Sequence, residues 1–216
     1  PKEIANRAIK NVSRGVYHPD ALDITREQHT ELKEQFDKWV DGWRYGNKGT
    51  NLRAKILLHE LLQSKRALGI LDFDVSRLVL KDIPSLDHLD PQKPNDSQYP
   101  NQYYEPSDTS YATRDDVING LGNMMLTDTK TNSEMSNKPM HLRLDEYQGE
   151  LRGHWLIEEI EDLLEDDEYG RNQEEGGKSV RVPKDEFFRE RKERLRGYFY
   201  AVVSMPYSSK HADLPD

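Results

Sequence analysis

The sequence predicts an α+β fold in which two short strands are set among helices. Apolar residues recur at helical spacing in several long segments, as at Leu32, Phe36, Val40 and Trp43. Two other stretches, one leading to Asp87-His88 and one over Met124–Thr127, have extended rather than helical character and are bounded by turn-forming residues.

Taken in order, Thr25-x-x-Gln28 resembles a capping box, followed by Leu32, Phe36, Trp39, Val40 and Trp43 on one helical face, until Gly46-Asn47-Lys48-Gly49 stops the helix. A second helix is expected over Leu52–Ala67, with Ile56, Leu57, Leu61 and Leu62 as its buried stripe. Residues 1–70 thus read as helical support. Leu71–Ile83, with Val75, Leu78, Val79 and Leu80, suggests extended chain that delivers Asp87 and His88 at the end of a strand. Residues 93–112 hold three prolines and four tyrosines and read as a long loop.

Thr113-Arg114-Asp115-Asp116 starts a short helical turn, Gly120 and Gly122 punctuate it, and Met124–Thr127 forms a second strand. Asp128 or Thr129 then caps a short helix bearing Asn132. Trp155, Ile160, Leu163 and Leu164 mark an acidic amphipathic helix, Gly170–Gly177 reads as a polar linker, and Pro183 is expected to open a last helix running to about Val203. Residues 146–216 are therefore expected to be C-terminal helices, and the 216 residues a single domain.

The absence of cysteine excludes disulfides and Cys-ligated zinc, so a bound metal must use oxygen or imidazole ligands. No apolar run is long enough to span a bilayer and no hydrophobic signal follows Pro1-Lys2-Glu3, which predicts a cytoplasmic chain without a membrane partner. Beginning at Pro1, the chain is expected to be a fragment of a longer protein. The net charge of -9 argues against nucleic-acid binding by its total, but not by its distribution. Glu158–Glu168 carries eight acids and no base, whereas Arg189–Arg196 has five bases and two acids, so a locally basic surface survives.

Chemistry concentrates in Leu86-Asp87-His88-Leu89-Asp90-Pro91-Gln92, answered by Gly122-Asn123-Met124-Met125-Leu126 and by Asn132. Hydrolysis of a phosphodiester needs an activated water, charge stabilisation on phosphate and help for the departing oxygen. His88, with an ordinary pKa of about 6.5, can take a proton from water at neutral pH. Asp87 leaves the other side of the strand and can bind a hard cation, and a carboxamide oxygen from Asn132 would complete a sparse ligand set of the kind magnesium accepts.

The joint pattern D-H-x-x-P-Q, G-N-x-x-L, an asparagine nine residues after Asn123, and S-N-K-P resembles the HNH or His-Me finger nucleases. It is most similar to the cysteine-free C-terminal nuclease domain of GmrSD-like modification-dependent restriction enzymes, and it also resembles the HNH domain of CRISPR effector nucleases. The resemblance is specific over Ile83–Met140 and looser over Ala54–Gln63 and Phe187–Leu195. It implies a ββα-metal (His-Me finger) core over residues 71–145, embedded in a mostly helical domain. His88 would be the general base, Asp87 and Asn132 the ligands of Mg2+ or Mn2+, and Asn123, on the second strand, the residue holding the loop that orients His88. Asn137 stands as the alternative to Asn132. Lys138, Arg143, Arg191 and Arg194 are the residues expected to meet the DNA. The implied activity is metal-dependent DNA cleavage in restriction or anti-phage defence, with an N-terminal sensor or NTPase domain in the same full-length protein.

Blander readings stand beside these. Asn123 can be a turn residue and Asn132 a helix cap. Tyr99, Tyr103, Tyr104 and Tyr111 can stack on bases or pin their own loop. The basic run from Arg189 to Arg196 can follow phosphates or form a solvated face with Glu190 and Glu193, and Glu158–Glu168 can be a solvated face or cover a basic surface. His59, His141 and His154 fall in no motif and are taken as structural. The competing functions are a non-catalytic HNH-like module that binds DNA or protein, and an RNA-directed nuclease toxin.

Overall fold

The computed structural model describes residues 26–46, 48–63, 84–92, 114–151, 155–175 and 177–211. The chain forms α1 (Arg26–Gly42), α2 (Lys48–Gln63), β1 (Pro84–His88), α3 (Arg114–Ile118), a 3-10 turn (Leu121–Asn123), β2 (Met124–Asp128) and α4 (Thr129–Met135). It continues through α5 (Met140–Leu151), α6 (Trp155–Glu165), β3 (Gly170–Glu175), β4 (Lys178–Pro183) and α7 (Asp185–His211). Helices thus alternate with two small antiparallel sheets, an α+β fold.

The helical spacing in α1 buries Leu32, Phe36 and Val40, with Trp43 just beyond its end. In α2 the buried face is Ala54, Leu57, Leu58, Leu61 and Leu62, while Ile56 is only partly buried. Both helices pack on α7, whose Phe187, Phe188, Leu195 and Phe199 complete the same core. Among the described residues no helix is long and apolar enough to cross a membrane.

β1 and β2 pair antiparallel in the register Pro84 with Asp128, Leu86 with Leu126 and His88 with Met124. All five residues of β2 are buried, because α4 lies against one part of this ribbon and α2 against another. The Asp128 side chain caps α4, accepting from the Thr131 N–H at 2.8 Å. Asn132 is therefore not the cap. The 3-10 turn approaches α7 so closely that a Cβ on Gly122 would lie 2.0 Å from the Phe188 carbonyl oxygen.

Three expectations are overturned. Gly170–Gly177 is not a linker: Gly170–Glu175 is a strand paired with Lys178–Pro183, and Gly177 supplies the positive φ of 78° that the tight connection requires. Pro183 closes β4 rather than opening the last helix, which begins at Asp185, with Asp185 and Glu186 facing the positive end of its dipole. The C-terminal part is accordingly not all helix, and α5 begins at Met140. Thr25, Leu71–Ile83, the tyrosine-bearing stretch 93–112 and His154 lie outside the described residues.

Candidate active site

Antiparallel pairing with β2 brings Asp87 and His88 to the C-terminal end of β1, and strand alternation sends their side chains to different neighbours. His88 is buried, with its ring edge-on to Tyr45 at 4.5 Å between centroids. Its Nε2 lies 3.4 Å from Asn119 Oδ1, an oxygen that also accepts from Gln92 Nε2 at 2.7 Å. That contact is a hydrogen bond when Nε2 carries the proton, which leaves Nδ1 as the basic nitrogen. Burial lowers the His88 pKa; Asn119 and the Asp87 charge oppose this, and the Arg143 charge adds to it. The ring is thereby kept in its neutral, proton-accepting form.

Asn123 holds the loop that follows. Its Oδ1 accepts from the Asp90 N–H at 2.8 Å, its Nδ2 donates to the Asp90 and Ile118 carbonyls at 2.9 Å each, and its own carbonyl accepts from the Leu89 N–H. Its position differs slightly from that expected: it is the last residue of the 3-10 turn, one residue before the strand.

The Asp87 carboxylate is buried and anchored. Oδ1 accepts from the His88 N–H at 2.8 Å; Oδ2 accepts from Arg143 Nη1 at 2.7 Å and from the Tyr147 hydroxyl. Burial and then the Asp87 charge raise the Tyr147 pKa well above its ordinary value, so the phenol stays a donor. Arg143 reaches further, donating from Nε to the Lys138 carbonyl at 2.8 Å and from Nη2 to the Ser136 carbonyl. On the same face of β1, Ser85 Oγ accepts from Asn132 Nδ2 at 2.7 Å, which leaves the Asn132 carbonyl oxygen as its second polar group.

Among the described residues no group of three or more His, Asp or Glu side chains converges as a metal cage. The oxygen donors of Asp87 and Asn132 are nonetheless of the chemical kind that a hard cation accepts. A carboxylate offers about four acceptor positions, of which Asp87 uses three. One position, on Oδ1, and the side-chain carbonyl oxygen of Asn132 remain; an ion held there would draw the rest of its shell from other oxygens such as water.

Two of the four basic residues expected at the DNA are found inside the protein. Arg143 and Arg191 are 2% and 0% exposed, respectively, and serve as internal supports rather than as surface contacts for a nucleic acid. Arg191 donates from Nη1 to the Gly122 and Met124 carbonyls at 2.7 and 2.9 Å, bracing the segment that carries Asn123. Burial brings its pKa down to about 10, which keeps it charged at neutral pH. Arg194 pairs with Glu190 and Glu159. Lys138 pairs with Glu146 at 3.1 Å on the surface, and Asn137 is exposed in the turn after α4. Within the acidic segment, Glu159 turns inward to Tyr198 and Arg194, whereas Glu158, Asp162 and Glu165 to Glu168 remain exposed.

Tyr45, Asn119, Ser85 and Tyr147 belong to the site without having been singled out from the sequence. Gln92 stood in the motif without a role. Only Tyr147 carried a signal: it lies four residues after Arg143, one helical turn along a common face.

Comparison with known proteins gives one match: the family model described as the C-terminal domain of GmrSD restriction endonucleases covers residues 25–175. Neither a curated protein nor a solved structure matches the chain. The family span takes in β1, β2, α4 and α5 with every residue bound to Asp87, His88 and Asn123, and stops in the β3–β4 hairpin before α7. With well over half of its length matched, the chain belongs to the family of GmrSD restriction endonuclease C-terminal domains.

Proposed function

We propose that this domain is a metal-dependent DNA endonuclease of the HNH type, built on a ββα-metal core made of β1, β2 and α4 and acting in restriction or anti-phage defence. The observation that carries the proposal is the buried His88 at the end of β1, held by Asn119 and Tyr45 beside the anchored carboxylate of Asp87. A histidine kept neutral at physiological pH and fixed in orientation is suited to take a proton from water.

In this mechanism, Asn119 accepts from Nε2, so that Nδ1 receives the proton of the attacking water. Asn123 fixes the Leu89-Asp90 backbone and with it the setting of the imidazole. Asp87 and Asn132 would hold the divalent cation, Mg2+ or Mn2+, which when bound supplies charge stabilisation at the phosphate. Lys138 can exchange its surface pair with Glu146 for a phosphate oxygen, since such pairs contribute only about 0–1 kcal/mol. The family's description as a C-terminal domain supports its working beside another part of a longer protein, a part we take to be a sensor or NTPase domain.

The test is incubation of supercoiled plasmid with the protein and Mg2+ or Mn2+, with EDTA as control. Cleavage that needs the cation and is lost in His88→Ala is expected, with DNA binding retained. Cleavage at full rate in EDTA, or by the His88→Ala variant, would rule this mechanism out.

A further inference from the structure

Arg143 was expected at the DNA and is found inside the protein, with three of its nitrogens engaged. Their targets are specific. Nη1 binds Asp87 on β1, while Nε and Nη2 bind the carbonyls of Lys138 and Ser136, in the turn that follows the helix bearing Asn132. One guanidinium therefore spans the two elements that carry the proposed cation ligands. Ser136 adopts φ 45° and ψ −120°, a backbone conformation unfavourable for a residue with a side chain, and its carbonyl is one of those Arg143 holds. Tyr147, one turn further along α5, donates to the same Asp87 oxygen as Arg143.

The two carboxylate oxygens are thus used unequally. Oδ2 takes both side-chain donors, whereas Oδ1 takes only the His88 N–H.

We infer that Arg143 and Tyr147 are the positioning pair that presents Asp87 to a divalent cation: they pin Oδ2 and leave the second acceptor position of Oδ1 as the open ligand position. Neither residue touches the cation. Arg143 in addition sets the separation of β1 from the turn behind Asn132, so a single side chain registers both ligands. Loss of such outer partners typically weakens metal binding by about 10–100-fold. The inference rests on the proposed role of Asp87 and Asn132 as ligands.

The experiment is calorimetric titration of the chain with Mn2+ alone, paired with plasmid cleavage measured against Mn2+ concentration. Tyr147→Phe removes one donor from Oδ2 and keeps the ring. It is expected to raise the Mn2+ dissociation constant roughly 10-fold and to shift half-saturation of cleavage equally, with the rate at saturating Mn2+ close to that of the parent. Arg143→Lys, which keeps the charge but cannot reach three acceptors in one plane, is expected to weaken Mn2+ binding further. Parental Mn2+ affinity in both variants, or a cleavage loss that saturating Mn2+ does not restore, overturns the inference. Asp87→Asn and Asn132→Ala test the ligand assignment separately: parental Mn2+ binding in these two would overturn that assignment, whatever the outcome at Tyr147.

Discussion

Asn123 binds both polar groups of the Asp90 backbone, accepting from its N–H at 2.8 Å and donating to its carbonyl at 2.9 Å. The pairing works only with a carboxamide, since one end must accept and the other donate. Asn123→Ala removes three side-chain hydrogen bonds and is expected to cost about 3 kcal/mol. Asn123→Asp is expected to cost more, because a carboxylate oxygen would then face the Asp90 and Ile118 carbonyls. Urea denaturation ranks the two, and equal midpoints would contradict this hydrogen-bond arrangement.

Gly122 and Gly197 make a matched pair. A methyl group on Gly122 would collide with the Phe188 carbonyl, whereas one on Gly197 meets nothing within 4 Å. Gly122→Ala should destabilise by about 3 kcal/mol through forced separation of the 3-10 turn from α7. Gly197→Ala, in a helix, should stabilise by roughly 0.5–1 kcal/mol. Thermal unfolding of both variants checks the sign of each.

Breaking the buried Arg143–Asp87 pair from one side leaves an uncompensated charge. Arg143→Met should therefore cost about 3–5 kcal/mol, and adding Asp87→Asn should restore part of the loss. The coupling is read from a double-mutant cycle of unfolding free energies. Strict additivity of the two changes would show that the pair does not act as a unit.

Acid should loosen the packing of α1 on α7. Arg196 pairs with Asp37 at 3.2 Å and with Asp41 at 2.5 Å. The Asp41 pKa is lowered, chiefly by its hydrogen bond to Arg196; Asp37 is lowered by Lys33 and Arg196 against the opposing effect of burial. Because the folded-state values lie below the unfolded ones, the contribution is fully present above the unfolded aspartate pKa of about 3.9 and fades as pH falls through the lowered folded values. The stability difference between the parent and Arg196→Met, followed by urea midpoints from pH 7 to pH 3, should shrink at the acid end. A constant difference would exclude linkage to these carboxylates.

Both strands that carry the site were legible, because Asp87-His88 and Gly122-Asn123 combine turn chemistry with short apolar runs. Asp128 and the short helix after it were legible for the same local reason: a cap signals itself within four residues. The β3–β4 hairpin was misread because Arg171 to Glu175 offers no apolar alternation; the signals that remain are Val180 and Val182 across the ribbon and Gly177, with its positive φ, just before β4. Arg143 and Arg191 could not be told from surface bases by sequence, since each buried guanidinium is set by a partner far along the chain: the Asp87 carboxylate, 56 residues away, for Arg143, and carbonyls 67 and 69 residues away for Arg191. Asn119 was hidden similarly: its contact to His88 spans 31 residues and no local pattern announces it.

The clamp around Asp90 also separates two tasks along the chain. Asn123 fastens Asp90, Gln92 bonds Asn119, and Arg44 bonds Asp116, so the chain is tied down just before residue 93 and just after residue 113. One set of contacts thus serves the backbone, fastening Asp90, and the other serves the ring, since Asn119 touches the His88 imidazole and Arg44 precedes the Tyr45 that packs edge-on against it.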